Sequence, residues 1–114
     1  MATGKIQQVM NNSDNGYCKM PDGTLIQWGK INNGDNSTPG AAVIYLSQPF
    51  VDKNFSITAN INYQSIYEGF NTYLITQAIS NVACAIYFRQ ISSPSTSITD
   101  TNAQAQWVAM GRWK

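Results

Sequence analysis

The chain has 114 residues, 43% of them hydrophobic and only 11% charged, with a formal net charge of +1. That length holds one domain with a modest core, and a balance so near neutral gives no electrostatic pull toward nucleic acid or an anionic membrane. There is no histidine, so the commonest general base and the imidazole metal ligand are both missing, and no histidine-dependent triad can form.

Residues 1–16 are polar, and their only sizeable apolar side chains after Met1 are Ile6, Val9 and Met10. They read equally as a connector from an upstream fibre or stalk, with a short strand or helical turn around Lys5–Met10, and as a floppy terminus. From residue 17 the pattern has period two. Tyr17–Met20 is a short strand closed by Pro21-Asp22-Gly23, a strong turn signal. Thr24, Ile26 and Trp28 then face one way and Leu25 and Gln27 the other, with Trp28 expected inside. Residues 31–40 (Ile-Asn-Asn-Gly-Asp-Asn-Ser-Thr-Pro-Gly) are loop chemistry throughout. Ala42–Ser47 is an apolar strand stopped by Pro49. Phe55, Ile57, Ala59, Ile61 and Tyr63 alternate with Ser56, Thr58, Asn60 and Asn62, the pattern of a half-buried strand. Tyr73–Ile79 and Val82–Gln90 are two more, the second central because both its faces are mostly apolar. Ser92–Ser97 is a polar loop. Ala105–Trp113 closes the chain, with Trp107 expected in the core. No window supports a helix of three turns. Strands at this spacing predict an all-β fold, a sandwich or a barrel, with residues 17–114 as its domain.

Charge is replaced by neutral polarity. Asn, Ser, Thr and Gln make up 40 of the 114 residues, and between Asn54 and Phe88 the sole charge is Glu68. Ordinary domains carry roughly 25% charged residues and use them to stay soluble. A chain this poor in charge is expected either to bury surface against sister copies or to present an uncharged hydrogen-bonding face.

The two cysteines, Cys18 and Cys84, are too far apart for a metal or redox motif. Cys84, inside the apolar run Val82–Phe88, reads as a small buried hydrophobe. A disulfide to Cys18 is open, although assembly in a cytoplasm favours free thiols. No apolar run approaches the ~20 residues of a membrane span, and no export signal is visible.

An ordered set of motifs carries a resemblance. Pro21-Asp22-Gly23 leads into Leu25-Ile26-Gln27-Trp28-Gly29. Val43-Ile44-Tyr45-Leu46 precedes Pro49-Phe50, then comes Phe55-Ser56-Ile57-Thr58-Ala59. The close is Trp107-Val108-Ala109-Met110-Gly111-Arg112-Trp113. Over residues 17–114 this resembles the C-terminal domain of bacteriophage tail-fibre proteins of the gp53-like type. The Trp-x-Ala-x-Gly ending is also similar to H-type lectins. The resemblance implies an antiparallel β-sandwich of six to eight short strands, assembled as a homotrimer at the distal tip of a fibre on the virion. It implies made-in-host-cytoplasm assembly and attachment to a bacterial surface polysaccharide or lipopolysaccharide, with no nucleic acid and no membrane insertion. Two alternatives stay open: a structural trimerisation cap of a fibre, and a sugar-binding H-type lectin not from a phage.

Sugar rings lay their C–H faces on aromatic side chains while amides and a few charges take the hydroxyls. The segment joining two strands between residues 63 and 73 places Tyr63, Tyr67, Phe70 and Tyr73 near Gln64, Glu68 and Asn71. These, with Arg112 and Trp113 at the end of the last strand, are the expected glycan contacts. The competing expectation is that the aromatics fill the core or a subunit interface and that the terminal strand tucks against a neighbour. Arg89 is expected in an interface ion pair. A glycosidase needs two carboxyls roughly 5–10 Å apart, and Glu68 with Asp100 is the one pair that merits attention. The expectation is binding without catalysis, without a cofactor and without a metal.

Overall fold

The computed structural model describes residues 7–10, 15–63, 72–90 and 103–114. Within them the period-two pattern becomes eight strands: β1 (Gln7–Met10), β2 (Gly16–Lys19), β3 (Thr24–Asn32), β4 (Ala41–Tyr45), β5 (Ser56–Tyr63), β6 (Thr72–Ser80), β7 (Ala83–Gln90) and β8 (Gln104–Arg112). They form a five-stranded sheet, β1-β2-β3-β8-β5, and a three-stranded sheet, β4-β7-β6. Every pairing is antiparallel. The two sheets pack face to face, so the architecture is a sandwich and not a barrel. Of the two options around Lys5–Met10, the fold takes the strand.

Turn chemistry sets the hairpins. Gly23 sits at φ 102°, a conformation open to glycine at no steric cost. Its N–H donates to the Met20 carbonyl, and the Thr24 N–H donates to Asp22 Oδ1 at 2.8 Å. β3 then runs on through Ile31 and Asn32, beyond the point where composition alone predicts a loop. The reason is a partner: Ile31 and Asn32 pair with Ala105 and Gln104 of β8. Gly34 and Gly40, both at positive φ, carry the chain from the larger sheet to the smaller one.

The core lies between the sheets. Leu25, Ile31, Ala105, Trp107 and Ala109 from one layer meet Ala42, Ile44, Cys84, Ile86 and Phe88 from the other. β7 is the middle strand of its sheet and contributes Ala83, Ala85 and the fully buried Ile86 and Phe88, as its two-faced apolar pattern predicts. β5 keeps Ile57, Ala59 and Ile61 half-buried against that core while Ser56, Thr58, Asn60 and Asn62 stay exposed.

The Trp-x-Ala-x-Gly ending of β8 is a gradient of size along the inner face. Trp107 pairs across the ladder with Gly29 on one side and Ala59 on the other. A Cβ at Gly29 would run into Asn15 Oδ1 and stand 2.9 Å from Trp107 Cζ2, so the missing side chain leaves room for both the Asn15 amide and the indole. At the other end, a Cβ on Gly111 would stand 2.7 Å from Phe55 Cβ and 3.0 Å from Phe50 Cδ1. Those two rings stack at 4.2 Å over the gap that Gly111 provides.

One expectation is reversed. Trp28 is half-buried on the outer face, opposite Gly16 and Val108, and Gln27 takes the interior place at 1% exposure. The buried amide is satisfied. Its Nε2 donates to the Gln48 carbonyl at 2.9 Å, and its Oε1 accepts from the Gln48 N–H at 3.1 Å and the Ser47 hydroxyl at 3.4 Å. These bonds also explain why β4 ends at Tyr45, two residues before the sequence predicts. Gln48 bonds to a side chain, while Leu46 and Phe50 donate to Val82 and Asn81 at the β6–β7 turn.

Cys18 and Cys84 are both free thiols. Burial pushes the Cys84 thiol up to about 12, because the apolar layer disfavours the thiolate. Native protein treated with maleimide at pH 8 is therefore expected to carry no label at Cys84 until it is unfolded. Peptide mapping that finds Cys84 labelled at the native rate would contradict this burial.

Candidate functional site

The expected site residues fall into three groups. Gln64, Tyr67, Glu68, Phe70 and Asn71 lie outside the described residues, as does Asp100. Tyr63 closes β5 opposite Gln104. Tyr73 is half-buried in β6 opposite Arg89. By alternation it shares the outer face of the smaller sheet with Ile75, Gln77 and Tyr87, and the Tyr87 hydroxyl donates to Gln77 at 2.9 Å. Arg89 donates to the Gly40 carbonyl at 2.8 Å and lies 5.2 Å from the Tyr87 ring.

Arg112 and Trp113 serve the turn between β2 and β3. Arg112 Nη2 donates to the Asp22 carbonyl at 2.9 Å and Nε to the Lys114 carbonyl at 3.1 Å. The Trp113 indole N–H donates to the Met20 carbonyl at 2.9 Å, and the ammonium groups of Lys19 and Lys114 stand 5.2 and 4.9 Å from its ring. Asp22's carboxyl is held below the ordinary carboxylate range by the N–H of Thr24, then by its hydroxyl, with the Arg112 charge adding to both. Arg112 pairs with Thr24 at one end of β8, and Tyr63 pairs with Gln104 at the other. Eight strand steps, about 27 Å at ~3.4 Å per residue, separate those two ends.

A cleft of about 320 Å³ opens between β3 and β4. It exists because β2 is four residues long and β3 nine. Beyond Gly16 the edge of β3 has no strand beside it among the described residues. Asn15 Oδ1 accepts from the Lys30 N–H there, and Asp35 Oδ2 accepts from the Asn32 N–H. The far wall is β4, whose own edge is covered by the 34–36 turn: Gly34 donates to Ala41, Val43 to Asp35, and Asn36 Nδ2 to Val43. Trp28 and Tyr45 bring aromatic surface, Asn15, Asn36 and Ser47 neutral polar groups, and Lys30 and Asp35 one charge of each sign. Sequence reasoning missed this cleft. The available signal was Tyr45 itself: with Ala42, Ile44 and Leu46 facing in, alternation turns its ring out, where it is 69% exposed.

Among the described residues no group of three or more Cys, Asp or Glu is placed to hold a metal, and no helix is long and apolar enough to cross a membrane.

Three comparisons bear on this architecture. The family described as tail fiber protein gp53-like, C-terminal, matches residues 19–112. No curated protein matches the chain. The fold is similar to the C-terminal part of the P. aeruginosa R2 pyocin fiber, with TM-score 0.65 and 17% identity over 93% of this chain and 26% of that one. It is similar also to that of the P. aeruginosa R1 pyocin fiber, with TM-score 0.62 and 18% identity over 96% of this chain and 29% of that one. An N-truncated R1-type pyocin tail fiber gives TM-score 0.59 and 16% identity over 92% of this chain and 85% of that one. The chain thus spans less than a third of the first two structures.

Proposed function

The chain belongs to the gp53-like tail-fibre C-terminal family, and from that premise we propose that it is a non-catalytic receptor-binding domain. It sits at the distal tip of a fibre as a homotrimer and attaches a phage or phage-like particle to bacterial surface polysaccharide or lipopolysaccharide.

The observation that carries the reading is the neutrality of a surface that nonetheless exposes large side chains. Tyr45, Ile75, Ile79, Val82, Val108 and Met110 are all more than 40% exposed. By alternation, the described outer face of the smaller sheet holds one cation, Arg89, among Val43, Tyr45, Tyr73, Ile75, Gln77, Ala85 and Tyr87. Exposed apolar side chains of this kind suit contacts with a partner, and three-fold assembly covers part of them while continuing the axis of a shaft. The uncovered part is aromatic and amide-rich, the chemistry that reads sugars. A single shallow site is weak, and several copies on one fibre raise the effective affinity by about 10²–10⁴ without a new contact.

The segment joining β5 and β6 remains in this proposal as a second contact, with Gln64, Tyr67, Glu68, Phe70 and Asn71 as its reading groups. Light scattering on the purified chain is expected to give three times its 12.6 kDa mass. A microbial glycan array is expected to show binding with no shortening of the captured polysaccharide. A stable monomer at micromolar concentration that ignores every bacterial envelope glycan would end the proposal, and chain cleavage abolished by Glu68→Gln would replace it with an enzyme.

A further inference from the structure

We propose that the cleft between β3 and β4 binds one uncharged pyranose unit of a surface polysaccharide, with Trp28 and Tyr45 as its stacking faces and Asn36 and Ser47 reading hydroxyls. The inference rests on the glycan-binding reading above and adds the place and the ligand chemistry.

Four observations converge. First, Trp28 holds a half-buried ring on the outer face of its sheet, and its indole N–H has no hydrogen-bond partner among the described residues. A tryptophan that is largely covered normally finds one. The contrast within this chain is direct, since the Trp113 indole is bonded to the Met20 carbonyl. Second, Tyr45 lines the same cleft at 69% exposure. Two aromatic surfaces that carry polar tips suit a ligand that has C–H faces and hydroxyls at once.

Third, Asn36 is the one described non-glycine residue at positive φ, 56°. Its Nδ2 is tied to the Val43 carbonyl at 3.0 Å, which fixes the side chain on the cleft wall and leaves Oδ1 as an acceptor. Ser47 lies on the same wall, anchored through the buried Gln27. A ligand therefore meets polar groups already held in place, which limits the entropy lost on binding. Fourth, the lining holds one cation and one anion, Lys30 and Asp35, and cancels to zero. That favours a neutral sugar over a sialic or uronic acid. The volume, about 320 Å³, is at the small end of ligand clefts, roughly 300–1,000 Å³, and limits the occupant to one or two rings.

The test uses the full chain against immobilised lipopolysaccharides and capsular polysaccharides purified from a panel of bacteria. Tyr45→Ala and Trp28→Ala are each expected to weaken binding at least about tenfold, with thermal midpoints close to the parent for Tyr45→Ala. Tyr45→Phe retains the stacking face and should lose less. Binding is expected to change less than about twofold between 0.05 and 0.5 M salt, since the interaction involves no net charge. If the parent binds and both alanine variants bind equally well, the cleft is not the site, and the receptor-binding reading stands without it. A steep loss of binding with salt would overturn the uncharged ligand. If the parent binds no envelope glycan, the receptor-binding reading fails and the cleft fails with it.

Discussion

Trp107→Ala is expected to cost about 3–5 kcal/mol of folding stability, the range for deleting a buried large aromatic side chain. The indole is 7% exposed and bridges both neighbours of β8, lying over Gly29 of β3 and beside Ala59 of β5. Neither neighbour has the volume to fill the space it would leave. The converse change, Gly29→Ala, crowds the same place. The new Cβ would collide with Asn15 Oδ1 and stand 2.9 and 3.0 Å from two indole carbons, an overpacking that costs about 1–3 kcal/mol. Because the two effects share one volume, they should not add. In a Trp107→Leu background Gly29→Ala should lose the share of its cost that the indole causes and keep the share caused by Asn15. Urea titration of the four proteins at one protein concentration measures the coupling. Additive losses would mean that Gly29 is not there to accommodate the indole.

Gln27→Ala is expected to cost about 3 kcal/mol. The amide is fully buried, and its removal leaves the N–H and C=O of Gln48 without their partners. Gln48 is half-buried, so its two unmet groups together cost about 1–3 kcal/mol, and the lost side-chain volume adds a cavity contribution. Gln27→Leu restores much of the volume but none of the hydrogen bonds. It should recover only part of the loss, and amide exchange at Gln48 should accelerate in both variants. A leucine variant as stable as the parent would show that packing, and not the amide clamp, is what position 27 supplies.

These two sites share a lesson about legibility. The alternation of β3 was readable, and Leu25 and Gln27 do lie opposite Ile26 and Trp28. The choice of which set faces inward was not, because a glutamine is an outside residue unless a partner from another part of the chain answers it. What answers it is Gln48, 21 positions along the chain. For β5, β7 and β8 no such distant partner was needed. Their inner faces are uniformly apolar, so period two and composition place Ile57 and Trp107 correctly. The Pro21-Asp22-Gly23 turn was legible for a similar reason, since its bonds run within Met20–Thr24.

The candidate site divides along the same line. Arg112 and Trp113 were noticed as residues, but their partners, Asp22 and Met20, are 90 and 93 positions away. Linear reading had no means of pairing them. The β3–β4 cleft required a strand mismatch, nine residues against four, and a wall contributed by the other sheet.

The sequence by itself determined the all-β class, the strand succession, the tight β2–β3 turn and the membership in a tail-fibre family. Each of these is written in local chemistry: alternation, glycine and proline placement, and a short ordered set of motifs. Only the tertiary structure decided which face of β3 is inside, why Gly29 and Gly111 lack side chains, and how Trp28 and Tyr45 come to line one cleft. Those outcomes depend on which groups from remote segments share one volume, and sharing a volume is a property of the packed sheets, not of neighbouring residues in the chain.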